Sequence, residues 1–326
     1  MLDKTKYRFW GKAILIALLL VFVVRTFWVE SYVIASSQME DALLDGDRII
    51  VNKASYGLRL PVTVFSIPFT FDSFLGLKSY SSALELPYTR IGECKIRNND
   101  VVVYNHPLQT DRPLDKRMLC IGRCVAQPGD TVEMKGYDLK VNGKQYETSP
   151  DFVLEYSLPL AWEDSVKRLL KQLNLPPTTV VKEAQQLVLS LNKLNAYLMK
   201  ENLPDTLLIA AGESDREAYK VVIPKKGSKL KLNNNLLSIY SYLIQQEQGR
   251  DVVLRDGKLF FGGKPISEYT FRQDYFWILV DNPQKGIDSR HLGFIPEKNI
   301  VGKASLIWFS SSWGKPRWDR ILSWVR

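Results

Sequence analysis

Histidine and cysteine are scarce. The 326 residues hold two histidines and three cysteines. Neither histidine lies near a cysteine in sequence, so no metal site is expected. Cys120 and Cys124 would share one face of a strand about 13 Å apart, too far for a bridge. With Cys94 they make an odd number, and all three are read as buried free thiols. No helix-turn-helix pattern, zinc-finger spacing or Walker loop is present. The formal net charge of +9 therefore favours an anionic membrane surface over nucleic acid. No metal or organic cofactor is implied.

The N-terminus also lacks an uninterrupted long apolar run. Ala13 to Val24 gives 12 residues, about 18 Å of helix against a bilayer core of about 30 Å. Extending the segment to Phe9–Val29 gives 21 residues but encloses Lys12 and Arg25. Both lie near its ends, where long cationic side chains snorkel. Trp10 and Trp28 stand where an aromatic belt would. On pattern alone two readings fit: a membrane anchor, or a cleaved secretory signal with Ala35-Ser36-Ser37 as its small-residue site. In both, Lys4, Lys6, Arg8 and Lys12 stay inside and the chain after residue 30 leaves the cytoplasm.

Apolar residues make up 45% of the chain, ample for a core. Segments 47–53, 100–107 and 118–126 read as strands, rich in β-branched residues and bounded by turn signals. Asn142-Gly143 marks a hairpin over 138–146, and Asp256-Gly257 with Gly262-Gly263 marks another over 256–266. The middle reads as helix over 161–174, 178–202 and 233–249. Ala184, Leu187, Val188, Leu191, Leu194 and Leu198 follow helical spacing, and Leu175-Pro176-Pro177 separates the first two helices. The expected fold is mainly β, with an N-terminal transmembrane helix and an α-helical insertion. The expected divisions are a cytoplasmic 1–8, a membrane helix 9–29, a β domain 30–150, a largely helical insertion 151–249, and the β domain continued over 250–326. In that last part Trp308, Trp313, Trp318 and Trp324 are interleaved with Lys315, Arg317, Arg320 and Arg326. This suits a membrane interface, and equally a tail packed on its own domain.

Four ordered segments carry a resemblance. "SSQMEDALLDGDRIIVNK" ends in Gly46-Asp47 and a Val-Asn-Lys strand. "NNDVVVYNHP" follows, then "RCVAQPGDTVE" with Pro128-Gly129-Asp130. "DNPQKGIDSRHLGFIPEKNIVGKA" holds Asp281-Asn282 and Asp288-Ser289-Arg290. In this order they resemble the motifs of the bacterial signal peptidase I family, membrane-anchored serine proteases that remove signal peptides. The resemblance favours the anchor over the cleaved signal. It implies a chain held in the cytoplasmic (inner) membrane by a single pass, N-terminus inside and main domain outside.

The family's chemistry needs a serine nucleophile and a neutral lysine base. The serine position falls on Gln38, eight residues before Gly46, and the lysine position on Gly122, six before Pro128. An amide is a poor nucleophile and glycine offers no base. The last motif is eroded too: Val280, Pro283 and Gly286 replace the family's Gly, Arg and Ser. Ser36 and Ser37 are the fallback nucleophiles. Ser36 aligns with the family's oxyanion-assisting hydroxyl, and Ser37 reaches the site only through a β-bulge. Lys116 is six residues from Gly122, Arg123 stays protonated, and His106 does not align with the lysine. The aligned peptide-groove positions Tyr32, Ile34, Ala35, Met39, Leu43, Cys120 and Ile121 are apolar or nearly so. A peptide would add there as a strand against 32–36 and 119–123; the same residues also read as plain core. The resemblance thus implies a signal-peptidase-like protein without the dyad, binding signal peptides or an active signal peptidase. The alternative is a working peptidase with a displaced serine.

Overall fold

The computed structural model describes residues 4–40, 42–66, 73–74, 77–175, 180–183, 186–204, 209–210, 218–249, 252–255 and 257–325. Pro176, Pro177, Ala184, Asp256 and Arg326 lie outside these. The fold is mostly β behind one long N-terminal helix. That helix, Lys4–Phe27, is the one helix among the described residues long and apolar enough to cross a membrane. Leu15, Ile16, Leu19 and Leu20 point away from the protein, as lipid-facing side chains do. The helix ends at Phe27, so Trp28 and Val29 lead into the first strand.

The junction is held by one carboxylate. Glu30 meets Arg25 at 3.0 Å and Lys53 at 2.6 Å, and accepts from the Tyr32 hydroxyl at 2.6 Å. Burial pushes the Glu30 carboxyl up. The Lys53 and Arg25 charges outweigh it and hold the group below the usual carboxylate range.

The main sheet is antiparallel, in the order Val29–Val33, Asp47–Asn52, Ile300–Ser312, Val101–Asn105, Leu119–Ala126, Tyr275–Leu279, Ile295–Pro296. Three hairpin-like pairs near in sequence are joined through Ile300–Ser312 and through the Leu119–Ala126 pairing with Tyr275–Leu279, and the alternation of side chains builds a core on each face. On one face Ile34, Met39, Leu43, Val103, Ile121 and Val280 cluster. On the other, Tyr104, Cys120, Cys124, Phe276 and Ile278 do. Cys94 packs against this second cluster, and all three cysteines are free.

The middle of the chain corrects the helical expectation. Glu163–Gln172 and Asn234–Gln248 are helices. Residues expected to open a helix over 178–202 instead form strands Val180–Glu183 and Gln186–Asn192, and the helix begins only at Lys193. Leu187, Leu189 and Leu191 are buried while their neighbours are not, the period of a half-buried strand. Asn192 then accepts the Asn195 N–H at 2.8 Å and caps the helix. The two helices Glu163–Gln172 and Lys193–Asn202 pack on a small sheet with Val153–Pro159 at its centre. Helix Asn234–Gln248 does not join this lobe; Leu237, Tyr240, Leu243 and Ile244 pack with Val132, Leu139 and Leu259.

The tail packs on its own domain. Lys315–Pro316 and Ser323–Trp324 pair back on Ile300–Ser312, while the rings of Trp313, Trp318 and Trp324 stay exposed.

Candidate active site

Gln38 sits in the turn between the first two strands. Met39 and Leu43 beside it are fully buried. The turn closes where Gly46, at φ +85°, lies so close to Ser311 O that any Cβ would collide with it. Asp47 then accepts the Leu44 N–H at 2.8 Å, the Ser310 hydroxyl at 2.6 Å and Arg320 Nη2 at 2.7 Å. The Gly-Asp pair is thus the hardware that holds the turn on the sheet. Across the site, Asn282 N donates to Gln38 O at 2.9 Å. The Gln38 amide reaches Ile121 O at 3.4 Å, a long contact.

Two of the polar positions lost from the motifs, 38 and 286, meet here. A Cβ on Gly286 would lie 2.7 Å from Gln38 Cβ and 2.9 Å from Val280 Cγ2. A Cβ on Gly122 would lie 2.7 Å from Ile278 Cγ2 and 2.9 Å from Leu279 O. Gly122 follows Ile121, the residue Gln38 reaches. Gln38, Gly286 and Val280 share one packed corner, while the space beside Gly122 opens toward Ile278 in the cluster on the other face of the sheet. The longer Gln38 and branched Val280 occupy the space beside Gly286, and Ile278 fills the space beside Gly122. Such compact contacts leave no room for a side chain at 122 or 286 unless a neighbour moves.

No described group supplies a base to the fallback serines. Ser36 and Ser37 are half-buried. Among the described residues neither hydroxyl hydrogen bonds to a lysine, a histidine or a carboxylate. Lys116 is buried, with Nζ 5.7 Å over the Tyr80 ring. His106 accepts the Leu108 N–H on Nδ1 at 3.3 Å; burial, then Arg117, push its pKa down. Arg123 makes a buried two-pronged pair with Asp281, at 2.9 and 2.6 Å. Cys120 is no substitute nucleophile, because burial pushes its thiol up to about 12.

The retained end of the last motif is structural. Asp288 accepts Val280 N at 3.0 Å and pairs with Arg290, while Ser289 Oγ accepts Ile278 N at 2.9 Å. Two residues went unnoticed in the sequence. Glu40 accepts from Asn282 Nδ2 at 2.9 Å and from Lys285 Nζ at 2.8 Å, tying the Gln38 turn to the 281–286 loop. Single charges in turns carry no periodic signal, so only the fold reveals them.

The expected groove residues divide. Ile34, Met39, Leu43 and Ile121 lie in one buried cluster with Tyr32 packed on it, and Ala35 is exposed. Cys120 does not join them: strand alternation turns its side chain to the opposite cluster. The backbone edges are more telling. Met118 O accepts from His106 N, and Cys124 N donates to Asp100 O. Even-numbered residues of Leu119–Ala126 therefore bond the Val101–Asn105 strand, and Leu119 and Ile121 face away from it. The Tyr275–Leu279 strand pairs only from Arg123 onward. Similarly, Ile34 N donates to Asp47 O, so Val33 and Ala35 turn their backbone groups off the sheet. Two strand edges flank the Gln38 turn: among the described residues neither 33–35 nor 119–121 has a further strand partner on its outer side, and the Gln38 amide reaches Ile121 O on the second.

A membrane-sized N-terminal helix, an antiparallel sheet, Gly46-Asp47 closing the Gln38 turn and Asp288-Ser289-Arg290 bracing the strand Tyr275–Leu279 make up a signal-peptidase-like scaffold. The family model "Signal peptidase, peptidase S26" matches residues 7–197 and 213–309. The chain belongs to that family. It is 24% identical to "Signal peptidase I" of Buchnera aphidicola subsp. Baizongia pistaciae over 291 residues, 89% of this chain and 73% of that protein. It is 24% identical to "Signal peptidase I" of Pseudomonas aeruginosa over 328 residues, 97% of this chain and 77% of that protein. To "Signal peptidase I P" of Bacillus subtilis subsp. natto it is 31% identical over 137 residues, 42% of this chain and 51% of that protein.

Proposed function

We propose that this chain is a noncatalytic member of its family that holds signal-peptide segments, free or on an active signal peptidase, without cutting them. The observation that carries the reading is the state of the two dyad positions. The nucleophile position holds an amide, and the space of the base position is taken by Ile278 and the Leu279 carbonyl. The open edges at 33–35 and 119–121 support strand addition as the mode of capture. We assign the chain to the cytoplasmic membrane as a single-pass protein, N-terminus inside, with the sheet on the outer face. Residues 30–150 and 250–326 are taken as one β domain interrupted by 151–249; the strands on either side share the main sheet.

The test is single-turnover cleavage of a signal-peptide-bearing precursor by the full chain in detergent, with binding of the uncut precursor followed in parallel. Binding without cleavage is expected. Cutting at the Ala-x-Ala site overturns the noncatalytic reading and makes Ser36 and Ser37 the next substitutions. Absence of both binding and cleavage overturns capture.

A further inference from the structure

Part of the chain forms a ribbon outside the main sheet. Thr63–Ser66 pairs with Tyr80–Glu85, and Ser73–Phe74 with Leu77–Lys78. Among the described residues neither pair gains a third strand. Val64, Phe65, Leu77, Leu84 and Leu86 are exposed along it, Phe65 at 59% and Leu77 at 74%. The stretch from Leu60 to Pro87 has only three charged residues, Asp72, Lys78 and Glu85. A lone two-stranded ribbon is marginal in water, and a run of exposed apolar side chains marks a surface that something covers.

The root of the ribbon is fixed, and its place in the sheet says what lies beside it. Leu86 N donates to Val62 O at 2.8 Å, and Thr63 donates from N and Oγ1 to the Asp115 carboxylate at 3.0 and 2.6 Å. Arg59, just before the ribbon, donates to Asn105 Oδ1 at 2.7 Å. Val29, where the chain enters the sheet from the N-terminal helix, pairs with Asn52, Asn52 with Lys303, and Lys303 with Val102. Strand directions put Asn105 beyond Val102 on the side from which the helix joins. The ribbon therefore leaves the sheet at the end where the helix enters it. Lys53, paired with Glu30 at the helix exit, precedes Leu60 by seven residues, a span of at most about 25 Å.

We propose that this ribbon lies in the outer leaflet of the bilayer beside the helix, a second membrane contact made by apolar side chains. The inference rests on the reading of the helix as a membrane anchor. Continuity with the helix exit and the scarcity of charge favour lipid over a protein partner. The ribbon's unpaired backbone edges stay among headgroups and water, because open strand edges do not enter the hydrocarbon core. Phe65, Leu77 and Leu84 reach the acyl boundary from there.

The experiment uses the full chain in phosphatidylcholine nanodiscs, with Cys94→Ser and one introduced cysteine carrying a nitrobenzoxadiazole label. Cys120 and Cys124 are buried and burial pushes their thiols up, so the label goes to the introduced site. Leu77→Cys reports the ribbon, Ile16→Cys the helix, and Tyr197→Cys, exposed on the helical lobe, the solvent. Part of the phosphatidylcholine carries a nitroxide on its acyl chain, which quenches labels that touch lipid. The Leu77 label is expected to emit to the blue of the Tyr197 label and to lose intensity to the nitroxide lipid, while the Tyr197 label keeps its intensity. A quenched Ile16 label beside an unquenched Leu77 label that emits as in water overturns the ribbon contact and leaves the anchor standing. An unquenched Ile16 label overturns the anchor reading, and the ribbon contact with it. A blue-shifted Leu77 label that nitroxide lipid does not quench overturns lipid as the occupant in favour of a protein surface, such as a second copy in the same disc.

Discussion

Replacing Gly122 with alanine separates a filled pocket from an empty one by the sign of the effect. Gly122 needs no unusual backbone: its φ lies outside the left-handed region. If the space beside it were open, alanine would stabilise the fold by about 0.4–1 kcal/mol through the unfolded chain. The structure requires the opposite. The added Cβ falls 2.7 Å from Ile278 Cγ2 and 2.9 Å from Leu279 O. Ile278 is fully buried, and Leu279 is paired with Arg123 across the sheet, so neither yields freely. Overpacking of this kind costs about 1–3 kcal/mol. For a chain of this size that lowers the melting temperature by roughly 1–2 °C per kcal/mol. Circular dichroism of the chain in detergent reads it directly. Ile278→Ala costs stability alone but removes the methyl that meets the new Cβ. The alanine penalty at 122 should therefore shrink in that background, with a coupling of roughly 0.5–3 kcal/mol. A rise in melting temperature, or zero coupling, refutes the filled-pocket argument. The consequence for catalysis follows. Gln38→Ser with Gly122→Lys restores the dyad in sequence but not in space, and is expected to stay silent in precursor cleavage. Only a third change trimming Ile278 gives the lysine somewhere to lie.

Other outcomes follow from the same geometry. Gly286→Ser should destabilise by about 1–3 kcal/mol because its Cβ meets Gln38 and Val280, and Val280→Gly should relieve it, both read by thermal unfolding. Arg123→Ala leaves Asp281 buried and unpaired and should cost about 3–5 kcal/mol in denaturant titration, well above any exposed pair. Glu30 titrates lower in the folded chain than unfolded. Its stabilisation is therefore present above the ordinary carboxylate range and lost as pH falls through the depressed folded value. Glu30→Gln should flatten the acid limb of a melting-temperature profile, and an unchanged limb refutes the junction's role.

How far the sequence could be read depends on the range of the interaction. Strands such as Asp47–Asn52 and Val101–Asn105 were legible from β-branched runs between turn residues, because both signals are local. The hairpin at Asn142-Gly143 was legible for the same reason, with both residues at positive φ. The 180–192 segment misled because leucines at 187, 189 and 191 fit two periods at once: 187 and 191 suit a helix, and all three suit a strand. Tertiary pairing with Val153–Pro159 decided for the strand, and that partner lies outside any local window. The candidate site divides along the same line. Counting back from Gly46 and Pro128 located Gln38 and Gly122, since motif spacing is local. That Gln38, Gly286 and Val280 share one volume is not local, nor is the filling of residue 122's space by Ile278. Gln38 with Gly286, and Gly122 with Ile278, lie more than a hundred residues apart and are brought together only by the order of strands in the sheet. A site repacked on both faces of the sheet behaves differently from one that has merely lost two side chains. Reversing a single position should make the fold worse, and activity can return only when the neighbours that grew into the space are cut back together.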